Sequence, residues 1–447
     1  MRRIILTLSV VSSLLIGQSS SATMTIYKDG IALVKQPVSW ETDRGSQVLS
    51  FDQLPPGIVK DSPFLMVNGA DIQLQRMNED IFSSGNFLQR NIGYEITVKF
   101  LDGKTESGNL IEYDGSKLSI RKRSRITHVP IRNLASITFT ADTEHENIRP
   151  SLDWNAFVPN DGKVEGELVY LSTGFKWNAV YRMIVNEDLN RASLIPEAFI
   201  TNSSNLDFQN IKLSLVEGAL NTPGTQPQFA QRMMMAEKSF DGISTTTTEE
   251  QLGDYYIYDL PDNLALNASE GLTVRLYNPR NIAFEKTYLF ENTELAQHEE
   301  PMEIEFKFSN TEENDLNVPL PAGKISIYTT RENGNIEYIG QDDLKQVPRG
   351  QDVSLTAGRA FDVIGKRKVL NYDRQKKSEE AVIQIQLINS SQEKINVKII
   401  EHIHGDWVIS DPSSNYIKSD ASTIYFPVSL EPNSESYITY TYRKEWK

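Results

Sequence analysis

Apolar and polar residues alternate with a period of two through most of this chain, and the three-to-four-residue repeat of an amphipathic helix is hard to find. Tyr94-Glu95-Ile96-Thr97-Val98-Lys99-Phe100 alternates strictly, as do Ile304-Glu305-Phe306-Lys307-Phe308 and Ile383-Gln384-Ile385-Gln386-Leu387. A strand sends successive side chains to opposite faces, so each run predicts a strand with one face in a core and the other in water. In the second run Ile304, Phe306 and Phe308 are expected inside, and Glu303, Glu305 and Lys307 outside. The fold class is therefore all-β.

The punctuation between these runs divides the chain. Met24 to Tyr27 and Ala32 to Val34 flank the turn Lys28-Asp29-Gly30, and Asn68-Gly69 separates another strand pair. These predict an N-terminal β-region over residues 23–90. Between Tyr94 and Phe139, five short alternating runs are separated by tight turns such as Asp102-Gly103 and Asp114-Gly115. That texture predicts a small barrel over 91–141, of the SH3-like or Sm-like kind. Its basic run Arg121-Lys122-Arg123-Ser124-Arg125 reads as a solvated hairpin tip rather than a nucleic-acid patch.

From residue 160 the strands lengthen and a theme repeats. A strand runs into Asn202-Ser203-Ser204, another into Asn310-Thr311, a third into Asn389-Ser390-Ser391, and a strand returns each time. An Asn at such a corner can satisfy turn amides with its side chain. The theme predicts two or more immunoglobulin-like β-sandwich units, over 160–300 and 301–447. The stretch 221–251 has no period and contains Pro223, Gly224 and Met233-Met234-Met235, so a long loop is expected there.

The first residues alter the picture of where this protein works. Met1-Arg2-Arg3, an apolar run from Ile4 to Ile16 and the small residues up to Ala22 have the order of a secretory signal peptide over residues 1–22. The expected location is the bacterial periplasm, cell surface or exterior. The 447 residues contain no Cys, so disulfides, thiol catalysis and Cys-ligated zinc are excluded. A formal net charge of −15 disfavours nucleic acid and anionic lipid as partners. No P-loop, dinucleotide glycine pattern or EF-hand loop occurs, and no cofactor is expected.

Two sets of residues invite a chemical reading. His402-Ile403-His404, if on a strand, projects both imidazoles from one face, a start towards a metal site that still needs a third ligand. Phe175, Trp177, Ala179 and Tyr181 fall on one strand face, opposite Lys176, Asn178 and Val180. Such a stripe is either core or an aromatic shelf for sugar rings, so Trp177 and Trp407 are the candidate carbohydrate contacts. The Met233 to Met235 triplet could ligate copper through thioethers, or simply belong to a loop. No Gly-x-Ser-x-Gly elbow is present, and no catalytic residues are assigned.

One long segment carries a family likeness. Tyr170-Leu171-Ser172-Thr173-Gly174-Phe175-Lys176-Trp177-Asn178-Ala179-Val180-Tyr181, then Leu213-Ser214-Leu215-Val216-Glu217-Gly218, Leu320-Pro321-Ala322-Gly323-Lys324-Ile325 and Gly358-Arg359-Ala360-Phe361-Asp362-Val363 follow its pattern. From about residue 168 to the C-terminus the chain resembles the domain of unknown function found in bacterial mucoidy-inhibitor-A-like proteins. The resemblance implies an exported β-rich protein without settled activity. The N-terminal half departs from it, because the long coiled-coil helices of many relatives are replaced by the small barrel. The functional expectation is a non-enzymatic binding or structural module for envelope proteins or polysaccharides. The alternative is a polysaccharide-binding protein or glycan-active enzyme.

Overall fold

The computed structural model describes residues 21–78, 87–89, 91–139, 150–187, 190–218, 248–252, 255–331 and 333–446. Residues 1–20 of the expected signal segment and the Met233 to Met235 triplet lie outside them. Within the stretch expected to be a loop, Thr248–Leu252 is a strand paired with Tyr255–Asp259, and residues 221–247 lie outside the described residues. Among the described residues the fold is nearly all β, with helix confined to short turns such as Ile131–Asn133 and Glu312–Asn314. No helix among them is long and apolar enough to cross a membrane.

The chain forms two compact units that interleave in sequence: Met1–Lys176 with Thr201–Leu272, and Trp177–Ile200 with Thr273–Lys447. In the first, Gly30 at φ +85° closes the hairpin of Thr23–Tyr27 and Ile31–Thr42, a backbone conformation that favours glycine. The first of these strands also pairs in parallel with Phe208–Glu217. Gly162–Thr173 runs antiparallel along Ile31–Thr42, and Phe64–Asn68 follows at the edge. The Asn68-Gly69 turn carries the chain into a separate three-stranded sheet, where Asp71–Asn78 and Gly45–Phe51 flank Ser151–Val158. There the buried Trp154 indole donates to Gln75 Oε1 at 2.7 Å, so the ring is sunk without an orphaned N–H.

The region from Glu95 to Phe139 forms its own five-stranded antiparallel sheet. Its order is Leu134–Phe139, Glu95–Phe100, Thr105–Tyr113, Lys117–Lys122, Arg125–Pro130. Ile96, Val98, Leu110, Leu118, Ile120 and Val129 fill its inner face, as the alternation predicts.

The second unit holds two further sheets, of six and nine strands. In one, Phe175–Asn186 pairs in parallel with Gly323–Thr330. A Cβ on Gly323 would sit 2.1 Å from the Ala179 carbonyl oxygen, so only glycine permits this close approach. Phe175, Trp177, Ala179 and Tyr181 are all buried, and the Tyr181 hydroxyl donates to the Pro321 carbonyl at 2.7 Å.

The other sheet has nine strands. From one edge it runs Trp407–Ser410, Ser434–Glu445, Ser378–Asn389, Asp352–Arg374, His298–Ser309, Glu285–Thr293, Ile395–His402, Thr423–Leu430 and Ile417–Lys418. Ile383, Ile385 and Leu387 share one core with Val397, Ile399, Phe426, Tyr440 and Tyr442. Those residues come from both halves of the strand order, so the sheet folds over and packs its inner face against itself.

The repeated corner asparagines hold the strand ends. Asn389 is buried; its side-chain amide donates to the Glu393 and Glu431 carbonyls, and its Oδ1 accepts from the Ser391 amide and hydroxyl. Asn202 repeats the pattern with Leu206, Leu266, Asn267 and Ser204. Asn310 donates to Val318 and Pro348 carbonyls.

A buried ionic network and a candidate binding surface

The His402 and His404 rings do not share a strand face, because the strand Ile395–His402 ends at the first of them. The chain leaves the ladder where the Ile403 amide turns to the Ser422 carbonyl. Both ring nitrogens of His402 are engaged, Nε2 with Glu291 Oε1 at 2.6 Å and Nδ1 with Thr423 Oγ1 at 3.2 Å. His404 is exposed, and its backbone N–H donates to Glu294 Oε1 at 2.6 Å. Among the described residues no three His, Asp or Glu side chains gather as metal ligands would.

The two tryptophans offered as sugar contacts are also occupied. Trp177 is 1% exposed, so its faces are core and no ring can stack on them. Trp407 is half-buried, its indole donates to the Ala421 carbonyl, and Lys418 Nζ stands 4.2 Å from the ring centroid. The ammonium covers the face a sugar would need.

A different group forms the chemical centre of the nine-stranded sheet. Arg367, Glu401 and Tyr440 are buried together. Arg367 Nε reaches Glu401 Oε1 at 3.2 Å and Oε2 at 3.1 Å, and its Nη2 reaches Oε2 at 2.8 Å. Its remaining donors reach the Ala296 and Glu294 carbonyls at 2.5 and 2.6 Å. The Tyr440 hydroxyl donates to Glu401 Oε2 at 2.5 Å. Burial pushes the Glu401 carboxyl up, and the Arg367 charge pulls it back. Burial works against the guanidinium charge, but Glu401 more than offsets it and holds Arg367 protonated. Burial and then the charge on Glu401 push the Tyr440 phenol well above its ordinary range, so it stays a donor. With its charges paired and donors used, the network clamps the turn at 294–296 to three strands.

Parity already points to these residues. Ile395, Val397 and Ile399 face the core, and the next inward position is Glu401. Val363, Gly365, Arg367 and Val369 fall on one side in the same way. A charge on the core side of two strands is a signal for a buried pair.

The strand Asp352–Arg374 also carries the most exposed aromatic residue of the protein's described surface. Glu303 is in register with Arg359, yet Pro301 is in register with Ile364. Ala360 to Val363 are thus more residues than the neighbouring strand can match, and they bulge from the ladder. Ala360 and Val363 are buried, while Phe361 is 91% exposed. Arg359 beside it is paired with Glu300, and the Asp362 carbonyl accepts the Ser390 amide at 2.8 Å.

The family model for a domain of unknown function, DUF4139, matches residues 167–446. The chain belongs to the DUF4139 family. The DUF4139 match includes the Asn202 and Asn389 corners, the buried network and the Phe361 bulge, and leaves the five-stranded sheet outside. No curated protein matches the chain.

Proposed function

We propose that this DUF4139 protein is a non-catalytic binding module of the bacterial envelope, and that the Phe361 bulge is its contact with a partner protein. The observation that carries this reading is the bulge itself. A phenylalanine ring left in water forgoes about 2 to 3 kcal/mol of burial. A core residue would be recovered by a small register change, whereas here Ala360 and Val363 anchor the bulge inward so that Phe361 stands out. Aromatic residues raised on rigid elements are the usual anchors of protein interfaces. The order of charged, apolar and small residues at the N-terminus supports export, and the resemblance to mucoidy-inhibitor-A-like proteins supports an envelope setting. The strand order of the five-stranded sheet, its fifth strand beside its first after a 3-10 turn, supports an SH3-like half-open barrel. The folded-over sheet and its asparagine corners support an immunoglobulin-like kinship for the C-terminal part.

The test is capture from an envelope extract by the full chain and by Phe361→Ser, read by protein mass spectrometry and by glycan analysis. A protein captured by the native chain and lost with Phe361→Ser is expected. Equal capture by both chains would sink the assignment of the bulge. Retention of glycan alone would favour the polysaccharide reading.

A further inference from the structure

We propose that the hairpin tip of the five-stranded sheet is a docking point for a phosphate-bearing anionic bilayer surface. The tip joins Lys117–Lys122 to Arg125–Pro130 and carries Arg121, Lys122, Arg123 and Arg125, all exposed. Among the described residues none of the four has an ion-pair partner.

Charge is unevenly spread in this protein. The chain as a whole has 45 basic and 60 acidic residues, but residues 91–139 contain eight basic and five acidic ones. Two of those acids are ion-paired within their own turns. Asp102 pairs with Lys104 and Asp114 with Lys117. Glu106 accepts from the Thr127 hydroxyl and Glu112 from the Ser119 hydroxyl. Glu95 is exposed two strands from Arg121 and is the remaining acid of this sheet. Opposing charges farther than about 8 to 10 Å through salt water are screened, so the local excess governs what the tip attracts.

Apolar residues decide between a bilayer and a soluble polyanion. Ile126 is in register with Arg121 and therefore on the same face, and it is 50% exposed. Arg121 is in register with Asn109, whose side chain donates to the Gly93 carbonyl. On either side of Gly93, Ile92 and Tyr94 are exposed, Tyr94 by 58%. Cations interleaved with exposed isoleucine and tyrosine at one level of a sheet match a headgroup layer. Phosphates there meet the charges, and the apolar groups enter the interface. A dissolved polyanion offers nothing to the apolar set.

The test is sedimentation of the full chain with vesicles of phosphatidylglycerol and phosphatidylcholine, compared with phosphatidylcholine alone. Taking the difference between the two cancels apolar partitioning common to both. A preference for the anionic vesicles that fades in high salt is expected. The variant Arg121→Gln, Lys122→Gln, Arg123→Asn, Arg125→Gln should lower that preference at least about a hundredfold, since each basic side chain near such a surface is worth about fivefold. Asn suits position 123, where φ is +54°. Tyr94→Ser with Ile126→Ser should lower anionic vesicle binding about tenfold at unchanged salt dependence. Unchanged circular dichroism shows that each variant is folded. No preference in the native chain, or an equal preference in the fourfold variant, overturns the proposal. So does tip-dependent binding to soluble polyphosphate that vesicles fail to compete away.

Discussion

Replacing Glu401 with Leu should strand the Arg367 guanidinium in the core, and replacing Arg367 as well should recover much of the loss. In the native protein the guanidinium has its nearest charge at 2.8 Å and no exposed surface. Removing one member of a buried pair leaves an uncompensated charge and typically costs about 3 to 5 kcal/mol. A typical domain has about 5 to 15 kcal/mol of stability in total, so Glu401→Leu should remove a large part of it. Adding Arg367→Met removes the stranded charge and restores volume. The Glu294 and Ala296 carbonyls still lose their donors, which leaves a residual cost of about 1 to 3 kcal/mol. With each single at about 3 to 5 kcal/mol and the double at about 1 to 3, the cycle should show a coupling of at least about 3 kcal/mol. Urea unfolding, followed by hydrogen exchange at the amides of Ile395–His402, measures it in this sheet rather than across both units. Additive effects within about 0.5 kcal/mol would refute the reasoning, because they would mean the two side chains do not stabilise one another.

Asn389→Ala should cost about 2 to 4 kcal/mol by the same measurement, since two carbonyls and the Ser391 amide lose buried partners. A cost under about 0.5 kcal/mol would place those groups in contact with water. The Asp114 carboxyl, stabilised by the amides of Ser116 and Lys117, is held down at about 2. The sign follows from linkage: a lowered carboxyl contributes stability that is present above its ordinary 3.8 and lost as pH falls through about 2. Carbon-detected carboxyl titration by NMR should show that low midpoint, and Asp114→Ala should remove the acid-dependent opening of this turn.

Much of the architecture was legible because it rests on local rules. Alternation put Phe175, Trp177, Ala179 and Tyr181 on one face, which the fold buries, and the five short runs before Phe139 do make one sheet. The asparagine corners were readable because Asn202 and Asn389 bond mainly to their own turns. What escaped was decided by distant neighbours. The parallel pairing of Thr23–Tyr27 with Phe208–Glu217 joins segments nearly two hundred residues apart, and no local pattern announces it. The two histidines looked paired because the sequence cannot show that the strand stops between them. The Phe361 bulge is a mismatch of register between two strands, so it exists in neither strand's sequence alone.

The network and the bulge share one strand, and that links stability to the binding proposed for Phe361. Arg367 lies six residues beyond Phe361 on Asp352–Arg374 and ties that strand to Ile395–His402, Ser434–Glu445 and the turn at 294–296. Two positions before Arg367, Gly365 lets the strand pass so close to Phe290 that a Cβ would lie 2.5 Å from the ring. A strand held this tightly on its inner side has little freedom to reorder when Phe361 meets a partner. Interfaces built on rigid anchors lose less entropy on association than those built on loops. The charged core is thus better explained as a support for the exposed ring than as a source of net stability, because a buried ion pair gains little over apolar packing. Its geometric demand, three donors of one guanidinium directed at three parts of the fold, is something that leucines in its place would not impose.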